Sequence, residues 1–121
     1  MIEMTRKEEQ ILLAIHFLGN QASLINIRER IFKYTGKKFS VGTIYAPLNR
    51  LHLNELLHSF QERKSNSKKP VRYYKLTPKG YNALAQLKKQ TEKLWDGFVY
   101  PVFEKQDSFQ REGAKSTKKN L

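Results

Sequence analysis

No cysteine occurs anywhere in the 121 residues. That absence removes disulfide staples and thiolate chemistry, and it matches a reducing compartment. No apolar run approaches the roughly 20 residues that cross a bilayer, and Met1 opens no signal-peptide pattern, so the expectation is a cytoplasmic chain with no membrane partner. Three scattered histidines, His16, His52 and His58, have no cysteine and few carboxylates near them, which excludes a ligand set for a metal. Neither a nucleophile–base pair nor a phosphate-binding glycine loop is visible, so the sequence argues against an enzyme and calls for no cofactor. Acidic residues are also scarce: 11 Asp and Glu stand against 23 Lys and Arg, a formal net charge of +12.

What is present suffices for one small core, with 39% hydrophobic residues of which the aromatics make 12% of the chain. The excess positive charge has a direction. Arg63 to Gly80 carries Arg63, Lys64, Lys68, Lys69, Arg72, Lys75 and Lys79 with no acid, and Gly36 to Arg50 adds Lys37, Lys38 and Arg50, again with no acid. The N-terminal segment instead holds Glu3, Glu8 and Glu9. A charge so polarised is the electrostatic footprint of a polyanion binder.

Thr5-Arg6-Lys7-Glu8 is a capping box, and Ile11, Leu12, Ile15 and Leu18 recur at helical spacing, so a first helix is expected from Arg6 to Leu18 with Gly19 as a left-handed stop. His16, beside that stripe and without a second ligand at i+4, reads as packing or surface. Ala22-Ser23 caps a second helix in which Leu24, Ile27, Ile31 and either Tyr34 or Phe32 face inward, and Gly36 ends it. Phe39 reads as a core plug. Ser40 caps a third helix with a core stripe of Ile44, Leu48 and Leu51. Pro47 removes one backbone hydrogen bond there and should bend the helix.

Leu57 to Arg63 and Val71 to Leu76 read as two strands, with Tyr74 and Leu76 on one face, around the polar, cationic tip Lys64 to Pro70. Thr77-Pro78 then opens another helix. Tyr81, Leu84, Leu87 (or Ala85), Thr91, Leu94, Trp95 and Phe98 form a stripe near 3.5-residue spacing, too long for one small domain to cover. Its second half is expected on a partner helix, in a homodimer. Asp96-Gly97 weakens that helix and Pro101 ends or kinks it.

The order of elements is that of a winged helix-turn-helix: mainly α with a small β-hairpin, an α+β domain. Residues 5–77 form the winged helix, 78–103 a long C-terminal dimerisation helix, and 104–121 a basic tail expected to be disordered. In that architecture the third helix enters the major groove of double-stranded DNA and the hairpin lies beside it. Lys37, Lys38, Ser40, Thr43, Tyr45, Asn49, Arg50, Lys68, Lys69 and Arg72 are the expected DNA-binding residues. Leu84, Leu87, Thr91, Leu94, Trp95 and Phe98 are the expected dimer interface. The competing reading is a winged-helix assembly module for protein partners, with only nonspecific nucleic-acid affinity.

Ser40-Val41-Gly42-Thr43-Ile44-Tyr45, Leu48, Arg50-Leu51, Leu56-Leu57 and Arg72-Tyr73-Tyr74-Lys75-Leu76-Thr77-Pro78-Lys79-Gly80 resemble the PadR family of bacterial transcriptional regulators, over Thr5 to Phe98. The resemblance implies a homodimeric repressor on a palindromic operator, its C-terminal helix swapped onto the partner. Many members are released by small hydrophobic or phenolic effectors. The family usually has glycine where Glu55 stands, and Asn54 is a candidate to supply the left-handed residue instead. Pro47 lies one position later than a proline sometimes seen. Trp95 resembles a tryptophan that stacks on flat ligands in some relatives; plain interface core is the other role open to it.

Overall fold

Thr5 begins α1 (Arg6–Leu18) as its neighbours dictate: its Oγ1 accepts the Glu8 N–H at 3.1 Å and the Glu8 carboxylate accepts the Thr5 N–H at 3.0 Å. These and the features below belong to a computed structural model that describes residues 3–63 and 69–103. Gly19 adopts φ 61°, ψ −124°, a positive φ outside the left-handed helical region expected of it, and a 3-10 turn over Gly19–Gln21 follows. α2 (Leu24–Thr35) starts on the Ser23 hydroxyl, which accepts the Asn26 N–H, and stops at Gly36 in the left-handed conformation.

Ile27 and Ile31 are buried and Leu24 is half-buried, but neither Phe32 nor Tyr34 turns inward, contrary to the sequence reading. Both rings are about half exposed or more and are covered by cations instead. The Arg30 guanidinium lies 4.4 Å from the Tyr34 centroid and the Lys38 ammonium 6.0 Å from that of Phe32. Phe39, half-buried, does pack on the core.

α3 (Val41–Leu53) buries Ile44, Leu48 and Leu51 as its stripe requires. The helix runs unbroken through Pro47, which is itself buried. Its end is a Schellman motif: the Leu56 N–H bonds the Leu51 carbonyl and the Glu55 N–H bonds the His52 carbonyl, each at 3.0 Å. The left-handed residue that this geometry demands is Glu55 (φ 66°), not Asn54 (φ −86°), because the paired bonds fix which residue must turn back. Glu55→Gly is therefore expected to raise stability by about 1 kcal/mol, read as a higher urea midpoint at unchanged slope. A lower midpoint would show that the Glu55 side chain makes up for its backbone strain.

β1 (Leu57–Glu62) and β2 (Val71–Leu76) pair antiparallel, from Leu57 opposite Leu76 to Glu62 opposite Val71. Both Tyr73 and Tyr74 are buried although they point to opposite faces. Tyr74 joins the core, whereas Tyr73 stacks on Phe60 with centroids 5.7 Å apart. The outer edge of β2 is tied down by the Tyr74 N–H on the Ala22 carbonyl at 3.0 Å. The hairpin is thus anchored to the α1–α2 junction.

Thr77 then caps α4 (Pro78–Trp95), accepting the Gly80 N–H at 3.0 Å while donating to the Glu55 carbonyl at 2.7 Å. α4 ends at Trp95, short of the expected residue 103. Gly97 takes a positive φ (81°) there and the chain leaves the helix before Pro101 is reached. Ile11, Leu12, Ile15, Ile27, Ile44, Leu48 and Leu51 form the fully buried centre, so the three helices of the head are fixed by one shared core. The expected disorder of residues 104–121 lies outside the described residues.

Candidate nucleic-acid interface

With its apolar stripe turned into the core, α3 presents the opposite face outward. Val41, Gly42, Tyr45, Ala46, Asn49 and Arg50 are exposed, Ser40 is exposed at the cap, and Thr43 is half-buried. Ser40 Oγ accepts the Thr43 N–H at 3.2 Å and lies 2.8 Å from the Thr43 hydroxyl, so the first turn is closed by a single small side chain. A Cβ on Gly42 would meet nothing within 4 Å. The helix start is therefore bare: small residues and a positive dipole end with no acid in the first turn.

Exposed cations stand on the connector before α3 and on the hairpin after it. Lys37 and Lys38 are exposed on that connector. The connector is held in place from behind, where Arg28 Nε donates to the Phe39 carbonyl and Lys7 lies over the Phe39 ring at 4.7 Å. Lys69 is exposed next to the hairpin, and Arg72 is exposed on β2 opposite Gln61. Lys68 lies outside the described residues. Burial pushes the Tyr74 hydroxyl above its usual pKa; the positive charge of Arg72 works against that shift, and Tyr45 adds to it. α3 and the hairpin thus bear on one buried tyrosine.

Arg50 is differently placed from the rest of the expected set. Its Nε donates to Glu8 Oε2 at 2.7 Å, and the Glu8 side chain is only 9% exposed. Burial would raise the Glu8 pKa, but the hydrogen bond from the Thr5 backbone and the adjacent Arg50 outweigh it and hold the carboxyl below its usual value. The sequence reading missed this ion pair, since nothing in a 42-residue separation signals that two such residues meet.

A family model for the transcriptional regulator PadR-like family matches residues 16–86, more than half of the chain. The chain belongs to the PadR-like family. It is accordingly a transcription regulator and not an enzyme. A PadR-like transcription factor from Bacteroides fragilis is 30% identical, with 75% of this chain and 87% of that one covered and a TM-score of 0.65. A PadR family regulator from Clostridium difficile R20291 is 21% identical, covering 76% and 92%, with a TM-score of 0.63. RosR of H. salinarum, 18% identical over 80% and 82%, also gives 0.63. The last two likenesses concern the fold. No curated protein sequence matches significantly.

The PadR chain has a second exposed face, away from the α3 start. Leu84 and Leu87 are half-buried, whereas Thr91, Leu94, Trp95 and Phe98 are all exposed, with Trp95 and Phe98 edge to face at 5.1 Å. Between α1 and α4 runs an apolar groove of about 720 Å³, lined among others by Leu13, Phe17, Tyr81 and Leu84. His16, beside it, is 3.2 Å from the Tyr81 hydroxyl. The sequence reading overlooked Leu13 and Phe17; their i, i+4 spacing on the side of α1 away from Ile11 and Ile15 was the available signal. Among the described residues no helix is long and apolar enough to cross a membrane, and no group of three His, Cys, Asp or Glu could hold a metal.

Proposed function

We propose that this PadR-family regulator is a homodimeric repressor that binds palindromic DNA in a sequence-specific way. The α3 start enters the major groove, Thr43 and Asn49 address base edges, and the hairpin with Lys69 and Arg72 rests on the flanking backbone. The observation that carries this reading is the bare, Ser40-capped helix start, preceded in the chain by exposed Lys37-Lys38 and followed by a hairpin with exposed Lys69 and Arg72. An overall charge of +12 supplies the nonspecific attraction. Two copies would join through the exposed Leu94–Trp95–Phe98 stripe and the α1–α4 groove.

Selection of duplexes from a random library at physiological salt tests it. A palindrome with half-site centres about 10 bp apart, or a multiple of that, is the expected product. Recovery of no preferred sequence, together with a protein partner that co-purifies stoichiometrically, would favour the assembly-module reading. A small hydrophobic or phenolic effector fits the exposed ring of Trp95, the sole tryptophan. Titration with planar phenols is expected to quench its fluorescence and release the operator. Unchanged emission would leave Trp95 a purely structural residue.

A further inference from the structure

The α1–α3 packing is mostly apolar, and apolar contact is non-directional: it holds α3 against the core without specifying its rotation about its own axis. One contact between the two helices is directional. Glu8 spends one carboxylate oxygen on the Thr5 N–H at 3.0 Å, which fixes it to the first turn of α1. The other oxygen accepts from Arg50 Nε at 2.7 Å, one residue past Asn49 on α3. A carboxylate this well covered is costly to leave without its cation, so a phosphate that drew Arg50 away would expose the chain to that penalty. A charge-assisted bond of this length tolerates little rotation of either helix.

We propose that Arg50 is a positioning residue: through Glu8 it sets the rotation of α3 on α1, and so the angle at which Thr43 and Asn49 meet base edges, without itself contacting phosphate. The inference rests on the reading of α3 as the DNA-binding helix. It differs from that reading in assigning Glu8, an acid on another helix, a part in sequence discrimination.

The test measures the affinity of the full-length dimer for its selected duplex and for a scrambled one, across salt, for Arg50→Gln, Arg50→Lys and Glu8→Gln, with Lys38→Ala as a phosphate-contact control. Each Arg50 and Glu8 variant is expected to lose about tenfold in the ratio of specific to nonspecific affinity, and the Glu8→Gln, Arg50→Gln double variant to lose no more than either single change. The salt slope stays at the parent value in Arg50→Gln and falls by about one in Lys38→Ala. Arg50→Lys, which keeps the charge on a half-exposed side chain but loses the guanidinium Nε–H that meets Glu8, is expected to fail in discrimination like Arg50→Gln. The proposal is overturned if Arg50→Lys retains parental discrimination, or if Arg50→Gln weakens both duplexes equally with a slope reduced by about one. A parent protein that prefers no duplex refutes the DNA reading itself, and the role of Arg50 with it.

Discussion

Gly80→Ala is expected to destabilise the protein by about 2 kcal/mol, opposite to what helix propensity would give. Gly80 is the third residue of α4, where alanine would ordinarily gain about 1 kcal/mol over glycine. At this position a Cβ would fall inside the contact distance of the Leu56 carbonyl oxygen, with the Leu76 Cβ only 3.5 Å away on another side. The oxygen cannot swing aside, because it is a backbone atom that already accepts the Thr77 N–H at 3.1 Å. Relief must come from moving the start of α4, which weakens the Thr77 cap and the bond from the Thr77 hydroxyl to the Glu55 carbonyl. Overpacking of this kind costs about 1–3 kcal/mol and wins over the propensity gain. Urea unfolding decides the sign, with Asn82→Ala, an exposed site on the same helix, as the comparison. A Gly80→Ala protein as stable as its parent would mean that α4 does not approach Leu56 so closely.

That joint marks where the sequence stops being legible. Helix starts were readable because a cap is local: Thr5, Ser23, Ser40 and Thr77 each accept an N–H three residues on, as their neighbours imply. The core stripes of α1 and α3 were readable because periodicity is local too. Long-range contacts left no such trace. Thr77-Pro78-Lys79-Gly80 announces a helix, but not that Gly80 is there for the Leu56 carbonyl. Arg50 reads as one more cation on a DNA-facing helix until Glu8 is found beneath it. Phe32 and Tyr34 look like core by type, yet nearby cations cover them at the surface. Within the candidate interface, Ser40 caps α3 as its neighbours imply, and Lys37, Lys38 and Arg72 are exposed. The turn at Glu55 eluded the reading because glycine or asparagine is the residue expected to turn left-handed.

Leu94→Asp combined with Trp95→Asp is expected to convert the proposed dimer to monomer and to lower affinity for the selected duplex by about 100-fold or more, without loss of fold. In one copy of the chain Leu94 is 83% and Trp95 61% exposed, so the substitutions remove almost nothing from its own core. In a dimer both side chains would be covered, and burying two carboxylates there is strongly unfavourable. The large effect on DNA follows from linkage: once one head is bound, the second binds at an effective concentration of about millimolar if the two are joined, and that advantage disappears in the monomer. Nonspecific binding by a single head, driven by the charge around α3 and the hairpin, should survive. Sedimentation equilibrium, urea unfolding and operator titration on the same sample separate the three quantities. Leu13→Asp on α1 sharpens the result, because Leu13 lines the α1–α4 groove and is 39% exposed. Dissociation by Leu13→Asp as well would place the partner's helix in that groove. A dimer that persists with Asp at 94 and 95 would remove the α4 stripe from the interface altogether.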